Sequence, residues 1–172
     1  SDELKSLKSQ GLYRKFREIN RTRSTFPKAT ERDGDSKRQV EVWCSNDYLY
    51  LSQHPAIVNE TIKVTQELGT GSGGTRNISG TSSYHADLEK TLAELHKKDS
   101  SLIFPSAYTA NQSTLWTLCK KLEGIEIYSD ELNHASMIQG IKNANVKVHI
   151  FRHNDTEHLE ELLKTSNANT PK

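Results

Sequence analysis

The chain has 172 residues, which is enough for one domain of ordinary size with a buried core. Its 23 lysines and arginines nearly balance its 22 aspartates and glutamates, so the charge gives no sign of a nucleic-acid or membrane partner. The hydrophobic content of 33% is low for an independent globule and is typical of a piece of a larger protein or of an oligomer subunit.

The first part of the chain, residues 1–68, predicts a helix, a linker, a short strand and a connecting helix. Apolar residues near helical spacing favour the first helix, and a polar run interrupted by Pro27 and Gly34 favours an exposed connection. A proline opens the second helix and Gly69 stops it. The predicted bounds are 1–20 for the helix, 22–38 for the linker, 40–43 for the strand and 55–68 for the second helix.

The second part, residues 69–172, alternates strands with helices after a glycine-rich segment. This order predicts an α/β fold, in which a three-layer, mostly parallel sheet has helices on both faces and right-handed crossovers. Helices are predicted at 84–98, 106–121, 135–143 and 156–164, and strands at 101–104, 125–128 and 146–151. Since ligands bind beyond the carboxyl ends of such strands, the turns at 105–108, 129–134 and 152–155 are expected along one edge.

The glycine-rich segment, residues 69–80, reads GTGSGGTRNISG and formally contains the dinucleotide fingerprint G-x-G-x-x-G. That fingerprint must follow a strand and open a helix, whereas here a helix precedes it, so the match does not indicate nucleotide binding. A flexible linker accounts for GTGSGG but not for Arg76 and Asn77. The composition favours a loop that holds polar groups against a ligand.

Two turns on the predicted sheet edge carry candidate ligand-binding groups. Ser106 is placed to cap a helix, and small residues beside it leave backbone N–H groups approachable to a phosphate. Many turns of this kind bind no ligand, so the signal is weak alone. His134 follows the next strand. A lone histidine is usually a surface or core residue, but this position would let its flat face lie against an aromatic ring.

Four runs of the sequence resemble the α-oxoamine synthases, a family of enzymes that depend on pyridoxal 5′-phosphate (PLP). The runs are VWCSNDYL (42–49), GTGSGGTRNISGT (69–81), YSDELNHASMIQGIK (128–142) and FRHND (151–155). The resemblance implies that residues 69–172 are the first part of an aspartate-aminotransferase-like large domain, in a homodimer with shared active sites. GTRNISG favours the branch that condenses glycine with succinyl-CoA to 5-aminolevulinate for haem synthesis, over siblings that use another acyl-CoA.

The same resemblance implies roles for individual residues. The backbone N–H groups of Ala107 and Tyr108 would hold the PLP phosphate, and His134 would stack on the pyridine ring. The implied cofactor-binding residues are Ser106, Ala107, Tyr108 and His134, and the implied substrate-binding residues are Arg14, Asn46, Thr75, Asn77, Ser129 and Lys147. Two positions depart from the family. Tyr50 stands where a small residue is usual, and the lysine that contacts CoA aligns with Val148, so Lys147 would point to the other strand face.

The resemblance also places the Schiff-base lysine beyond Lys172, so no catalytic residue is assigned here and residues 1–172 alone are expected to be inactive. A non-catalytic binding module is the alternative from another class; the absent lysine favours it, whereas Arg14 and His134 count against it. The resemblance is to mitochondrial forms, which predicts the mitochondrial matrix, with a bacterial cytoplasm as the alternative. No metal, nucleic acid or membrane span is expected.

Overall fold

The computed structural model describes residues 2–172, which divide into two compact units, one ending at Gly71 and the other spanning Ser72–Lys172. The first unit contains two helices and a three-stranded antiparallel sheet in the order β1-β2-β3. Its elements are α1 (Asp2–Ser9), β1 (Glu18–Arg21), β2 (Lys28–Asp33), β3 (Ser36–Glu41) and α2 (Pro55–Leu68). The prediction for α2 is confirmed. His54 caps this helix, because its Nδ1 atom accepts a hydrogen bond from the Ala56 amide at 3.3 Å.

The other predictions for the first unit have the wrong bounds, and the predicted strand over 40–43 overlaps β3 only at Val40 and Glu41. The predicted helix over 1–20 ends at Ser9, and the predicted linker over 22–38 contains β2 and half of β3. These two strands form a hairpin whose turn contains Gly34 at a φ of 61°, a conformation that glycine adopts without steric cost. Only Ala29 and Glu31 of β2 are buried, so the alternation of a strand is present, but a charged residue occupies one inward position.

The second unit has the predicted alternation of helices and strands. Its elements are α3 (Ser83–His96), α4 (Ala107–Lys121), β4 (Glu126–Asp130), α5 (Ala135–Ala144), β5 (Lys147–Phe151) and α6 (Thr156–Lys164). Strands β4 and β5 pair in parallel, with Glu126 opposite Lys147 and Asp130 opposite Phe151. The α/β class, the parallel pairing and these four helices are therefore confirmed.

The predicted strand over 101–104 is wrong, because this segment pairs with no strand in the part of the chain that the structure describes. The amide of Ile103 instead donates to the Glu89 carboxylate at 2.8 Å, and the Ser101 hydroxyl donates to the Glu89 carbonyl at 2.6 Å. Helix α3 thus holds the extended segment that leads into α4.

The core of the second unit lies between the α4–α5 pair and the two-stranded sheet. Cys119, Ile125 and Ala144 are buried together, with Ile127 and Val146 packed against them. Burial raises the pKa of the Cys119 thiol. No helix within residues 2–172 is both long and apolar enough to cross a membrane.

Candidate functional site

The N-terminus of α4 has the features of an anion site. The hydroxyl of Ser106 accepts the Thr109 amide at 3.1 Å and so caps the helix. Ala107 and Tyr108 are the first two residues of the helix, so their N–H groups have no intrahelical acceptor. The helix dipole adds a partial positive charge at the same point. This turn can therefore hold a phosphate through backbone donors.

The structure brings His134 next to this turn. His134 caps α5, and its imidazole lies in an edge-to-face arrangement with the Tyr108 ring, with centroids 6.1 Å apart and planes inclined at 70°. Its Nδ1 accepts the Ser136 amide at 3.1 Å. All four residues that the sequence assigns to a cofactor, namely Ser106, Ala107, Tyr108 and His134, thus lie at neighbouring helix N-termini.

Strand β4 ends beside His134 in a tightly bonded turn. Ser129 is only 3% exposed, and its hydroxyl accepts the Asn133 side-chain amide at 2.9 Å. The Asp130 carboxylate accepts from the Leu132 amide at 2.8 Å, the Asn154 amide at 3.0 Å and His153 Nδ1 at 3.0 Å. These bonds, chiefly the one from the Asn154 amide, lower the pKa of Asp130 to about 2. Asp130 therefore joins the carboxyl ends of β4 and β5.

The glycine-rich segment closes around one carbonyl group. The oxygen of Thr75 accepts the amides of Ile78, Ser79 and Gly80, which makes a wide helical turn over Arg76–Gly80. The Thr75 hydroxyl donates to the Asn77 side-chain oxygen at 2.8 Å, so two predicted substrate ligands lie side by side. The segment follows helix α2 and not a strand, as the sequence context predicts.

An ion pair fastens this turn to the rest of the second unit. The Arg76 guanidinium donates two hydrogen bonds to Glu89, at 2.5 and 3.0 Å, and Glu89 also accepts the Ile103 amide. The Arg76 bonds are the largest cause that lowers the pKa of Glu89 to about 2. Arg76 is recognisable in the sequence as unlike a linker residue, whereas no local motif distinguishes Glu89.

Two further predicted substrate ligands belong to the first unit. Arg14 is exposed and lies after the end of α1, in a segment without regular structure, so its placement in an N-terminal helix is wrong. Asn46 is also exposed and borders an open depression together with Arg21 and Trp43.

Lys147, another predicted substrate ligand of the second unit, lies away from Ser129. It begins β5, at the end of the sheet opposite to Ser129 and His134. Its ammonium group donates to Glu126 at 2.6 Å, and this bond is the main reason that the pKa of Glu126 is lowered to about 2. Val148 lines a cavity of about 340 Å³ with Ser129 and Lys142.

Comparison with known families identifies the group to which this architecture belongs. The family model "Aminotransferase class I and II" matches residues 38–172. The chain belongs to the class I and II aminotransferase family.

Relatives of this aminotransferase-family chain include mitochondrial 5-aminolevulinate synthases. The non-specific enzyme of Gallus gallus is 54% identical over 96% of this chain and 26% of its own length. The erythroid-specific enzyme of Homo sapiens is 51% identical over 99% of this chain and 30% of its own length. The chain thus spans between a quarter and a third of these relatives.

Solved structures of the aminotransferase-like fold superpose on nearly the whole chain. A serine palmitoyltransferase from S. paucimobilis has a TM-score of 0.82 at 23% identity, covering 98% of this chain and 41% of its own. A serine palmitoyltransferase structure with PLP has a TM-score of 0.85 at 21% identity, covering 98% of this chain and 42% of its own. The predicted aspartate-aminotransferase-like fold is therefore confirmed.

Proposed function

We propose that this chain is part of a 5-aminolevulinate synthase, which condenses glycine with succinyl-CoA and releases 5-aminolevulinate, CoA and carbon dioxide for haem synthesis. The observation that carries the proposal is the identity of 51–54% to synthases of that name, sustained over at least 96% of the chain. Because these relatives are three to four times longer, the activity is that of the full-length protein.

The first turn of α4 fits the phosphate of PLP. The N–H groups of Ala107 and Tyr108 would donate to the phosphate oxygens, and the dipole of this 15-residue helix would favour the negative charge. When bound, PLP supplies the electron sink that activates the amino-acid substrate. The imidazole of His134, 6.1 Å from the Tyr108 ring, would lie against the ring of the cofactor and keep water from that face.

The predicted substrate ligands suit a dicarboxylic acyl-CoA. Arg14 is an exposed guanidinium without a partner in the described chain, and a guanidinium can bind the distal carboxylate of succinyl-CoA through two parallel hydrogen bonds. Thr75 and Asn77 offer polar groups on one turn that Arg76 and Glu89 hold in place. Asn46, Ser129 and Lys147 complete the proposed set.

The assembly and the compartment are part of the same proposal. We infer a homodimer with shared active sites, which is supported by the sequence resemblance to the α-oxoamine synthases and by the low hydrophobic content of 33%. The relatives at 51–54% identity are named mitochondrial enzymes, which supports a location in the mitochondrial matrix.

A sibling synthase with another acyl-CoA is the second candidate. The observation that favours it is the structural similarity to serine palmitoyltransferases, and to an 8-amino-7-oxononanoate synthase from Francisella tularensis with a TM-score of 0.60 over 73% of this chain. Identity to these proteins is only 21–24%, far below the 51–54% to 5-aminolevulinate synthases.

The test is turnover of the full-length gene product, loaded with PLP, against a panel of amino acids and acyl-CoA thioesters. The products are identified by mass spectrometry, with glycine and serine combined with succinyl-, pimeloyl- and palmitoyl-CoA. The proposal expects glycine with succinyl-CoA to give the highest kcat/KM. A preference for serine or for a long-chain thioester would assign the protein to a sibling synthase instead.

A further inference from the structure

The Nδ1 atom of His134 receives hydrogen bonds from two groups of one residue. The backbone amide of Ser136 lies 3.1 Å from Nδ1, and the Ser136 hydroxyl oxygen lies 2.6 Å from it. A backbone N–H can only donate, so Nδ1 is an acceptor here and carries no proton. The proton of the neutral imidazole is therefore on Nε2.

This assignment determines the direction of the next hydrogen bond. Since Nδ1 has no proton to give, the Ser136 hydroxyl donates to it, and the hydroxyl oxygen is left as an acceptor. The Nδ2 atom of Asn111 lies 3.1 Å from that oxygen and donates to it. The resulting chain of donors runs from Asn111 on α4, through Ser136 on α5, to His134.

The backbones of the two helices hold this chain in place. Ser136 has no solvent exposure, so water does not compete for its hydroxyl. Near this point α4 and α5 approach closely at Gly140, where an added Cβ would lie 2.9 Å from the carbonyl oxygen of Gln112. Asn111 precedes Gln112 and is thus kept within reach of Ser136.

We propose that Asn111 and Ser136 are positioning residues that hold His134 in the Nε2–H tautomer and fix the plane of its ring for the cofactor. This inference rests on the proposed function, in which His134 stacks on PLP. Two hydrogen bonds to Nδ1 restrict rotation of the imidazole about its bond to Cβ. Nε2 has no acceptor within residues 2–172, so its N–H remains available to a ligand.

The first experiment observes the tautomer directly. Nitrogen-15 NMR of the full-length protein, labelled at its histidine rings, distinguishes protonated from unprotonated ring nitrogens, and a His134→Gln variant assigns the signal. At neutral pH the proposal expects an unprotonated Nδ1 and a protonated Nε2 in the wild type. Ser136→Ala leaves only the backbone amide as a donor to Nδ1, and in Asn111→Asp the carboxylate takes the hydroxyl proton. Each variant should therefore shift part of the signal toward the other tautomer. A proton on Nδ1 in the wild type would overturn the proposal.

The second experiment measures whether the two residues act through one chain of hydrogen bonds. PLP is titrated into the cofactor-free full-length protein, and the dissociation constant is read from quenching of intrinsic fluorescence. Ser136→Ala and Asn111→Ala should each weaken binding by about 2- to 12-fold, the effect of one lost hydrogen bond. The double variant should be no weaker than Ser136→Ala, because both changes interrupt the same chain. Fully additive losses would overturn the proposal.

A control and a separate readout complete the test. Asn143→Ala removes an exposed side-chain amide on α5 whose one hydrogen-bond partner within residues 2–172 is Gln139, and it should change neither the tautomer nor PLP binding. The NMR and PLP measurements involve no acyl-CoA. The wild-type protein could show the expected tautomer, and the variants the expected non-additive losses of PLP affinity, without turnover of glycine with succinyl-CoA. In that case the proposed function is wrong while the positioning role stands.

Discussion

The imidazole of His134 and the phenol ring of Tyr108 meet edge to face, with centroids 6.1 Å apart, although 26 positions separate them in sequence. Each residue begins a helix: His134 caps α5, and Tyr108 lies in the first turn of α4. Two helix N-termini therefore converge at the carboxyl end of β4. Such a convergence suits a ligand that has both a phosphate and a flat ring.

His134→Ala in the full-length protein is expected to weaken PLP retention and slow turnover more than it lowers thermal stability. Aromatic stacking contributes about 0.5–1.5 kcal/mol beyond buried area, so the loss should be partial. His54→Ala is the matched control, because His54 caps α2 through the same Nδ1 contact but lies in the first unit. Both variants lose a helix cap. If PLP affinity falls equally in both, His134 is only a cap.

The sequence predicts the second unit well because local signals there agree with the fold. Ser106 caps α4 and Asp155 caps α6, both through side-chain oxygens, which are the usual N-cap acceptors. The rhythm of short apolar segments and longer helices places Ser106 and His134 at helix N-termini, although the strand predicted over 101–104 does not form. The role of His134 as the cap of α5 is not predictable in this way, because histidine is not among the preferred N-cap residues.

The features that the sequence misses depend on contacts between distant residues. Asn111 and Ser136 lie 25 positions apart on two helices, and no local pattern indicates that their side chains form a hydrogen bond. In β2, the inward-facing Glu31 forms ion pairs with Arg17 and Arg38. The sequence of this strand is therefore polar enough to suggest an exposed linker, although the strand has a buried face. The pairing lowers the pKa of Glu31 to about 2. No pattern of hydrophobicity could indicate these contacts.

Arg14→Leu in the full-length protein should raise the KM for succinyl-CoA and leave the KM for glycine nearly unchanged. A charged hydrogen-bonded contact contributes roughly 1.5–3 kcal/mol, or about 10- to 150-fold in affinity. The assay compares succinyl-CoA with butyryl-CoA, which lacks the carboxylate. The wild type should strongly prefer succinyl-CoA and the variant should lose most of this preference. Arg32→Leu, at an exposed position on β2, serves as the control. An unchanged preference in Arg14→Leu would mean that another cation binds the carboxylate.

Gly80→Ala should disrupt the turn that presents Thr75 and Asn77. An added Cβ at Gly80 would lie 2.0 Å from the carbonyl oxygen of Gly74, which is backbone and cannot move aside easily. Overpacking of this kind costs about 1–3 kcal/mol, so the melting temperature should fall and the KM for the acyl-CoA should rise. Gly71→Ala is the control, since a Cβ there meets no atom within 4 Å. Equal behaviour of the two variants would contradict the close approach at Gly80.

Asp130→Asn should destabilise the full-length protein in a pH-dependent manner. The pKa of Asp130 is lowered to about 2, so its carboxylate stabilises the fold above the usual pKa of the group, near 4, and this contribution is lost as the pH falls toward 2. Urea midpoints of wild type and variant should therefore differ at pH 6 and converge as the pH falls below about 4. Asp35→Asn, in the exposed β2–β3 turn, controls for the loss of one negative charge. A difference between midpoints that stays constant with pH would show that ionisation of Asp130 does not matter.

Tyr50 has a left-handed backbone, with a φ of 57°. Its ring lies 5.0 Å from that of Phe26, and its hydroxyl donates to the Arg23 carbonyl at 2.7 Å. These contacts offset a conformation that costs most residues roughly 1–2 kcal/mol.

Comparison of three variants at this position separates the two effects. Tyr50→Ala loses the contacts and keeps the backbone cost, whereas Tyr50→Gly loses the contacts and removes that cost. The glycine variant should therefore be more stable than the alanine variant by about 1–2 kcal/mol in urea unfolding. Tyr50→Phe keeps the ring and loses only the hydrogen bond to Arg23, so it should lose about 0.5–1.5 kcal/mol relative to wild type. An alanine variant as stable as the glycine variant would mean that the backbone relaxes out of the left-handed region once the Tyr50 ring is gone.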